Sequence, residues 1–361
     1  MFWQDSTKPD GRKLTLYSQV PLASLIEAPS PFAQPLGASP HLRWHPLRGE
    51  WVTYAAYRQG RTFLPPPQYN PLAPTSDPVH PTEVPQGAWN VAVFDNRFPA
   101  LGGAPAEPPQ LIVPTAPATG HCEVVVFSQD AEASLSTLPL AHLELLMQVW
   151  ADRTDRLARR GDIAYVLPFE NRGSEVGVTL HHPHGQIYAY PVVPPVAARM
   201  QIEAQEHHGK TGVGLLQAHI AQEERSGARM LYQGEHAVAF VPVCARYPYE
   251  VWVAPREAVP TFGQLHRTQR ADLARALKTV LKKYDGLWHR PMPYLMAWFQ
   301  APTDGKPHPE AHLHAEIYPP YRTPDRLKIL AGTELAAGFF AMDALPEDKA
   351  RELQQVQVSI E

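Results

Sequence analysis

Residues 169–191 constrain this chain more than any other stretch, and they read FENRGSEVGVTLHHPHGQIYAYP. The short apolar run 165–169 leads into the stretch and turn-forming residues follow, which predicts a strand, a turn and a second strand. Residues 186–190 continue as a strand, so every second side chain shares one face with His184. The proline between the two histidines fixes its own backbone φ angle and favours an extended conformation for the residue before it. The pattern therefore predicts a rigid presentation of His184.

A histidine held in this way can act as a nucleophile as well as a base, because a neutral imidazole attacks phosphorus well. One ring nitrogen attacks while the other keeps its proton, typically donated to a carbonyl. Gln186 lies two residues further along an extended chain and can offer its amide to phosphoryl oxygens. A lone histidine is more often structural, and HHPH alone is compatible with a chance metal site. The complete string with Asn171, Gly185 and Gln186 favours the nucleophile.

This string resembles the active-site motif of the galactose-1-phosphate uridylyltransferases, a branch of the histidine-triad superfamily with HPHGQ after an FEN-x-G turn. The resemblance implies an enzyme that exchanges UMP between UDP-glucose and galactose 1-phosphate through a uridylyl-histidine, with ping-pong kinetics. His184 would be the nucleophile, and Gln186 with Thr179 would hold the phosphoryl group. His182 and Asn171 would fix the loop and the imidazole.

Two further segments resemble the nucleotide-binding parts of the same family. Arg58 and Arg61 stand three apart, a spacing that the family uses beside the diphosphate and the sugar phosphate. Guanidinium groups suit that charge, although two exposed arginines are the simpler interpretation of the pair alone. The string DNRFPAL (95–101) resembles the family's nucleotide-binding turn. There Asn96 would hydrogen-bond the ribose or uracil region and Phe98 would pack against it.

The string KILAGTEL (328–335) resembles the family segment that lines the hexose phosphate. Lys328 would neutralise the phosphate and Glu334 would accept sugar hydroxyls. Thr333 replaces the aromatic residue of the family motif, so the detailed hexose contacts differ. In the family such residues reach the neighbouring subunit's site, so the resemblance implies a homodimer.

The metal sites of the family are only partly represented. NPLA (70–73) stands where many members have Cys-x-x-Cys, and Ala131 stands where a histidine ligand falls. With three of four ligands absent a closed tetrahedral site is not available, which predicts no zinc and no required cofactor. His312, His314 and Glu316 share a strand face and include plausible ligands for zinc or iron. The family's separate histidine ligand falls on Phe299, so we expect polar support there, with a metal as the less favoured alternative.

The order of elements is the same in both halves of the chain, and 361 residues suit two domains. Two strands, an amphipathic helix, a strand and a histidine-containing strand follow one another twice, which indicates an ancient duplication. We therefore predict an α+β fold of two tandem histidine-triad-like lobes, each a mainly antiparallel sheet with packed helices. Residues 1–40 form an extended arm in this interpretation, 41–195 the lobe with the nucleophile motif, and 196–361 the lobe with the hexose-phosphate segment.

The bulk properties limit the partners and the location of the protein. A net charge of −4 and a pI near 6.5 give no sign of a nucleic-acid surface. No apolar run approaches the roughly 18 residues of a membrane helix, and the N-terminus does not resemble a signal peptide. Cys122 and Cys244 lie in strand-like contexts and are expected to be buried thiols rather than a disulfide. These observations predict a cytoplasmic enzyme without membrane or nucleic-acid partners.

Three other functions are compatible with parts of the pattern. The same histidine chemistry would serve a nucleoside diphosphate-hexose phosphorylase or an adenylyl-transferring relative. A catalytically silent nucleotide-binding or metal-sensing protein would not need both His184 and Gln186. A dinucleoside hydrolase conflicts with HPHGQ, because Gln186 replaces the usual final histidine of hydrolytic triads and an amide cannot act as a general acid. Transfer to a sugar phosphate is therefore the favoured function.

Overall fold

The structure, a computed structural model, describes residues 1–22, 24–37, 39–60, 69–102 and 107–360. Its strands, in chain order, are β1 (Phe2–Thr7), β2 (Lys13–Ser18), β3 (His41–His45), β4 (Glu50–Tyr54), β5 (Val91–Asp95), β6 (Thr115–Pro117), β7 (His121–Val126), β8 (Tyr165–Arg172), β9 (His184–Tyr190), β10 (Met230–Gln233), β11 (Ala237–Phe240), β12 (Val251–Pro255), β13 (Tyr294–Phe299), β14 (His314–Tyr318), β15 (Tyr321–Thr323) and β16 (Arg326–Leu327). Its helices are α1 (Leu140–Ala158), α2 (Pro195–Thr211), α3 (Leu215–Ser226), α4 (Arg267–Leu287) and α5 (Pro346–Gln355). Shorter helical turns span Ala56–Gly60, Ser174–Val176, Phe262–Gln264 and Thr333–Ala337.

Eleven of these strands form one antiparallel sheet in the spatial order β1-β2-β5-β7-β9-β8-β13-β14-β12-β11-β10. In each half two strands precede a long helix and an antiparallel strand pair, namely β5-β7-α1-β8-β9 and β11-β12-α4-β13-β14. Strands β8 and β13 pair with each other at the centre of the sheet. From β8 outwards the order is β9, β7, β5, and from β13 outwards it is the equivalent β14, β12, β11. The predicted α+β fold of two tandem lobes is confirmed, and pairing of β8 with β13 joins the lobes into one sheet.

Helices α1 and α4 cover one face of this sheet. Their apolar side chains recur every three or four residues, which buries one stripe of each helix. Trp150 of α1, Phe262 and Trp298 of β13 meet in one aromatic cluster with ring centroids 4.9 to 5.7 Å apart. Burying an aromatic side chain of this size stabilises the fold by roughly 1.5–3 kcal/mol. This cluster therefore packs the helix of the first lobe against the sheet of the second.

Residues 1–18 are not part of the extended arm that the sequence predicts for 1–40. They form the hairpin of β1 and β2, and β2 pairs with β5 inside the large sheet. Leu14 and Leu16 are buried on one face of β2, and Tyr17, on the other face, donates to Asp152 of α1 at 2.6 Å. The prediction was wrong because the partner strand that buries these residues lies more than seventy positions away along the chain.

The opposite face of the sheet carries the candidate site in the first lobe and helices α2 and α3 in the second. Ile220 of α3 packs against Val238 and Phe240 of β11, and Ala197 of α2 packs near Tyr165 and Phe299. Of the two cysteines, Cys122 is buried and Cys244 is exposed, and both are free thiols. In the described part of the chain, no helix is both long enough and apolar enough to span a membrane.

Candidate active site

Strand β9 presents His184 as the sequence predicts. Its burial alternates, with Gly185, Ile187 and Ala189 buried towards the helices, so His184 and Gln186 face the other side. His184 donates from Nδ1 to the carbonyl oxygen of His182 at 2.7 Å. Among the described residues no group hydrogen-bonds to its Nε2. The ring therefore keeps its proton on Nδ1 and offers the lone pair of Nε2.

Gly185 is required by the close approach of two neighbours. A Cβ atom at this position would lie 2.8 Å from the carbonyl oxygen of Phe169 and 2.6 Å from the ring of Phe127. The first belongs to the paired strand β8, and the second to the segment that follows β7. Only glycine lets the motif sit this deeply between the two strands.

His182 is buried and has two hydrogen-bond partners. Its Nε2 donates to the carbonyl oxygen of Ser128 at 2.7 Å, and its Nδ1 accepts from the side-chain amide of Asn70 at 3.0 Å. The backbone of the motif is held by the same neighbouring segment, because the N–H of Phe127 donates to Pro183 at 3.0 Å. These contacts tie His182 to the neighbouring loop segments.

Burial lowers the pKa of both histidines. For His184 the hydrogen bond to the His182 carbonyl favours the charged form and offsets only part of this effect. For His182 the carbonyl of Ser128 and the charge of Asp130 oppose the shift, while His184 adds to it. Both imidazoles are consequently neutral at neutral pH, which is the state that a nitrogen nucleophile requires.

A cavity opens in front of His184, and most of the predicted nucleotide and phosphate ligands line it. These are Arg58, Asn96, Phe98, Thr179 and Gln186. Asn96 donates to Gln186 Oε1 at 3.4 Å, which leaves the amide hydrogens of Gln186 for a ligand. Arg58 donates to the carbonyl of Phe98 at 2.7 Å and to the hydroxyl of Tyr188 at 3.3 Å, which fixes its guanidinium at the cavity wall.

Asn171 lies near the end of β8, the strand that pairs with the nucleophile's strand β9. Phe169 and Gln186 form the last pair between β8 and β9, and Asn171 follows two residues later, where it pairs with Leu295 of β13. The side-chain oxygen of Asn171 is buried and has no hydrogen-bond partner among the residues that the structure describes. A buried acceptor of this kind favours a ligand that supplies a donor.

The predicted hexose-phosphate residues contact each other rather than this cavity. Lys328 donates to the carbonyl of Ala341 at 2.7 Å and lies 3.6 Å from Glu334, which also accepts from the N–H groups of Ala331 and Ala341. Neither residue is among those that line the cavity at His184. The other predicted ligand, Arg61, lies outside the described residues.

Sequence reasoning missed several residues of the site. Phe32, Tyr69, Leu72, Glu83 and Arg97 also line the cavity, and they come from segments far apart along the chain. Arg97 is next to the predicted Asn96, and its guanidinium lies over the ring of Phe32 at 4.3 Å. The one signal for Asn70 was its place in the NPLA string, where the resemblance pointed to a missing metal ligand rather than to a hydrogen-bond donor.

The residues at the family's zinc positions do not fit a zinc ion. Positions 70, 73 and 131 carry an amide and two methyl groups, and the amide of Asn70 is already bonded to His182. Elsewhere in the described residues, three ligand-type side chains converge at Asp95, His121 and Glu123. Although burial opposes it, hydrogen bonds to Asp95 and Glu123 raise the pKa of His121 to about 9. A protonated histidine is a poor metal ligand, so this group is best described as an ion-pair cluster.

The second lobe repeats the geometry of the motif with different chemistry. His312 donates to the carbonyl of Pro255 at 2.7 Å, and His314 donates from Nδ1 to the carbonyl of His312 at 2.8 Å. Glu316 stands where the first lobe has Gln186, and Arg246 donates to it at 2.7 Å. Burial would raise the pKa of Glu316, but His314 and Arg246 hold it below its ordinary value. A carboxylate here repels phosphate, so the second copy of the motif does not suit attack on a phosphoryl group.

The doubled sheet and a neutral imidazole with one free nitrogen beside an amide and a guanidinium define a two-lobed transferase of the histidine-triad type. The family model for the galactose-1-phosphate uridyl transferase N-terminal domain matches residues 34–194, and the model for the C-terminal domain matches residues 200–360. The predicted lobe boundary after residue 195 falls between these two matches. The chain belongs to the galactose-1-phosphate uridylyltransferase family, which confirms the resemblance and the transferase prediction.

Individual relatives agree with this assignment. Galactose-1-phosphate uridylyltransferase of Thermotoga maritima is 35% identical over 88% of this chain and 99% of its own length. That of Streptomyces lividans is 38% identical over 72% of this chain and 70% of its own length. A solved structure of a uridylyltransferase has a TM-score of 0.78 and 34% identity over 88% of this chain and 98% of its own chain. An ADP-glucose phosphorylase from Arabidopsis thaliana shares the fold, with a TM-score of 0.66 and 23% identity over 89% of this chain and 100% of its own chain.

Proposed function

We propose that this protein transfers UMP from UDP-glucose to galactose 1-phosphate through a covalent intermediate on His184. The observation that carries the proposal is the ring of His184 in the cavity lined by Arg58, Asn96 and Gln186. The ring is neutral, is bonded through Nδ1 and has no partner at Nε2 among the described residues. Family membership supports the substrates, because the relatives named above are galactose-1-phosphate uridylyltransferases.

The first step forms a bond between His184 Nε2 and the α-phosphorus of UDP-glucose. The bond from that phosphorus to the bridging oxygen breaks, and its electron pair leaves with glucose 1-phosphate. The imidazole of the adduct keeps the proton on Nδ1, so the carbonyl of His182 stabilises the positive charge that develops on the ring. Gln186 and Thr179 would donate to the non-bridging oxygens, and Arg58 would balance charge on the diphosphate.

The second step reverses the first with another sugar phosphate. A phosphate oxygen of galactose 1-phosphate attacks the α-phosphorus, the N–P bond breaks, and its electron pair returns to Nε2. No proton is gained or lost by His184 over the two steps. One site therefore serves both sugars in turn, which predicts ping-pong kinetics.

The test is the intact-protein mass after mixing with UDP-glucose alone and then with galactose 1-phosphate. We expect a gain of one uridylyl group that disappears when galactose 1-phosphate is added. His184→Ala should form no adduct. His314→Ala is the matched control, because His314 has the same Nδ1 hydrogen bond in the second lobe, and it should still form the adduct.

The same measurement separates the alternatives. An adduct with ADP-glucose but not with UDP-glucose would assign adenylyl transfer, and release of the adduct by inorganic phosphate instead of galactose 1-phosphate would assign a phosphorylase. The absence of an adduct with every sugar nucleotide would contradict a histidine nucleophile.

A homodimer in which residues 328–341 complete the partner's site is part of the proposal. Lys328 and Glu334 do not line the cavity of their own chain, and apolar side chains beside them face solvent. Ile329, Leu335 and Phe339 are 73%, 63% and 74% exposed. Side chains of this kind clustered in one segment are typical of an interaction surface.

The remaining predictions concern metal and location. We propose that no metal cofactor is required and that the family's zinc is absent, since the amide and methyl groups at positions 70, 73 and 131 offer no suitable donor set. A metal content near one zinc per chain in the purified protein would contradict this. A metal near His314 and Glu316 stays the less favoured alternative. A cytoplasmic location stays a prediction from the sequence.

A further inference from the structure

We infer that Asn70 is a positioning residue for the nucleophile. Its amide fixes the tautomer and the ring orientation of His182, and through the His182 carbonyl it fixes the orientation of His184. Asn70 lies 112 residues before His182 in the chain, in the loop that forms one wall of the cavity. The inference rests on the proposed function for the reaction that it serves, but the hydrogen-bond arrangement itself does not depend on any substrate.

The orientation of the Asn70 amide is set by its second hydrogen bond. Its Oδ1 accepts from the backbone N–H of Leu72 at 3.0 Å, so its Nδ2 is the atom that faces His182 Nδ1 at 3.0 Å. An N–H donor at this place requires an unprotonated Nδ1. The single ring proton must then lie on Nε2, where the carbonyl of Ser128 accepts it at 2.7 Å. Asn70 and Ser128 together admit one neutral tautomer of His182.

The loop that carries Asn70 is itself firmly anchored. Leu72 is buried among Trp89, Phe94 and Val126, and the N–H of Glu83 donates to the carbonyl of Pro71 at 2.9 Å. Because the loop cannot shift easily, the amide acts as a fixed reference for the His182 ring. The carbonyl of His182 in turn holds the Nδ1 proton of His184.

The second lobe supplies an internal comparison. There His312 makes the same Nε2 hydrogen bond to a carbonyl, but its Nδ1 is buried and has no partner in the described part of the chain. The His–x–His geometry is therefore duplicated without the amide. The amide is present only in the lobe that carries HPHGQ, as far as the described residues extend, which ties Asn70 to the function of that motif.

The inference also accounts for the disagreement with the family's zinc position. Asn70 stands where the resemblance expects a cysteine ligand, and it supplies a directed hydrogen bond instead of a bond to a metal. A short amide preceding proline can provide this contact without any ion.

The experiment compares Asn70→Ala and Asn70→Asp with the wild type and with Asn90→Ala. Asn90 is a matched control, because its side-chain oxygen also closes a loop by accepting a backbone N–H, from Gln19 at 2.9 Å, and does not contact His182. We expect Asn70→Ala to slow adduct formation from UDP-glucose roughly 10- to 100-fold, since small displacements of a nucleophile have effects of this size. Asn90→Ala should react at close to the wild-type rate.

Asn70→Asp distinguishes positioning from a general structural role. Its carboxylate can still accept from Leu72, but it then faces His182 Nδ1 with an acceptor, and the contact is restored only when that nitrogen is protonated. The variant should therefore regain adduct formation, relative to the wild type, as the pH falls. Asp130 and His184 also act on the charge of His182, and both are unchanged in this comparison.

Nitrogen NMR of the His182 ring tests the inference without turnover. The wild type should show the Nε2–H tautomer, and Asn70→Asp should show protonation of both nitrogens as the pH falls, in parallel with the recovery of adduct formation. Wild-type protein with this tautomer but no adduct would contradict the proposed function and leave the inference intact. A His182 tautomer that is the same in wild type, Asn70→Ala and Asn70→Asp, with adduct formation at the wild-type rate in both variants, would overturn the inference.

Discussion

At the scale of single residues, the motif was readable because its decisive contacts are local. His184 donates to a carbonyl two residues before it. The extended backbone, with proline before His184 and glycine after it, favours that arrangement. Asn70 was not identified as functional because its contact with His182 spans 112 positions. No local sequence pattern predicts which distant residue a short polar side chain in a proline-rich loop will contact.

Replacement of Gly185 by alanine should damage both stability and reaction. The added methyl group would meet the carbonyl oxygen of Phe169 and the ring of Phe127 at distances too short for contact. Neither neighbour can move freely, since one is backbone in a paired strand and the other is a fully buried ring. We expect the free energy of unfolding to fall by about 1–3 kcal/mol, measured by urea denaturation.

The rate of adduct formation should be proportional to the fraction of His184 that is neutral. Its pKa lies below the ordinary value of 6.5 because burial disfavours the charged ring. The second-order rate with UDP-glucose, which reports the free enzyme, should therefore be flat around pH 7 and fall only on the acid side of 6.5. A midpoint at or above 6.5 in single-turnover measurements would contradict this description of the site.

At the scale of elements, periodicity was the reliable signal. Helices α1 and α4 follow from apolar side chains that recur every three or four residues, and the strands of each lobe follow from short apolar runs. Helix α2 was missed because it buries little, with Ala197 its one buried residue among those described. The β1–β2 hairpin was missed because strand pairing across the chain, and not local pattern, decides its burial.

The junction of β8 and β13 gives a prediction about stability and pH. Glu170 accepts from the hydroxyl of Tyr294 across this junction at 2.8 Å, and burial raises its pKa from 4.5 to about 7. The folded state thus binds this proton more tightly than the unfolded state. Stability from this group is present below pH 4.5 and is lost as the pH rises towards 7.

Glu170→Gln removes the charge while keeping an acceptor for Tyr294. We compare the free energy of unfolding of the variant with that of the wild type. The difference, variant minus wild type, should increase by about 3 kcal/mol as the pH rises from 4.5 to 8. Urea denaturation at several pH values measures the difference. A difference that does not change with pH would show that folding does not shift the pKa of Glu170.

At the scale of the whole molecule, the duplication was predictable from the order of elements, but its consequence was not. The sequence predicts two lobes side by side, whereas pairing of β8 with β13 makes one sheet and puts both His–x–His motifs on the same face. The lobes then diverged in chemistry at two places. Glu316 occupies the position that corresponds to Gln186, and among the described residues nothing at His312 corresponds to the amide of Asn70.

The proposed homodimer with shared sites can be tested by mixing two inactive variants. His184→Ala removes the nucleophile but keeps residues 328–341, and Glu334→Ala does the reverse. If Glu334 acts on the partner's site, a mixed dimer contains one complete site, formed by His184 of one subunit and Glu334 of the other. Random exchange of subunits should then restore about a quarter of the wild-type activity. If Glu334 acts on its own chain, every site in the mixed dimer lacks one group and no activity returns. Absence of recovery, in a mixture shown by mass to contain mixed dimers, would contradict the shared site and confine the hexose-phosphate segment to its own subunit.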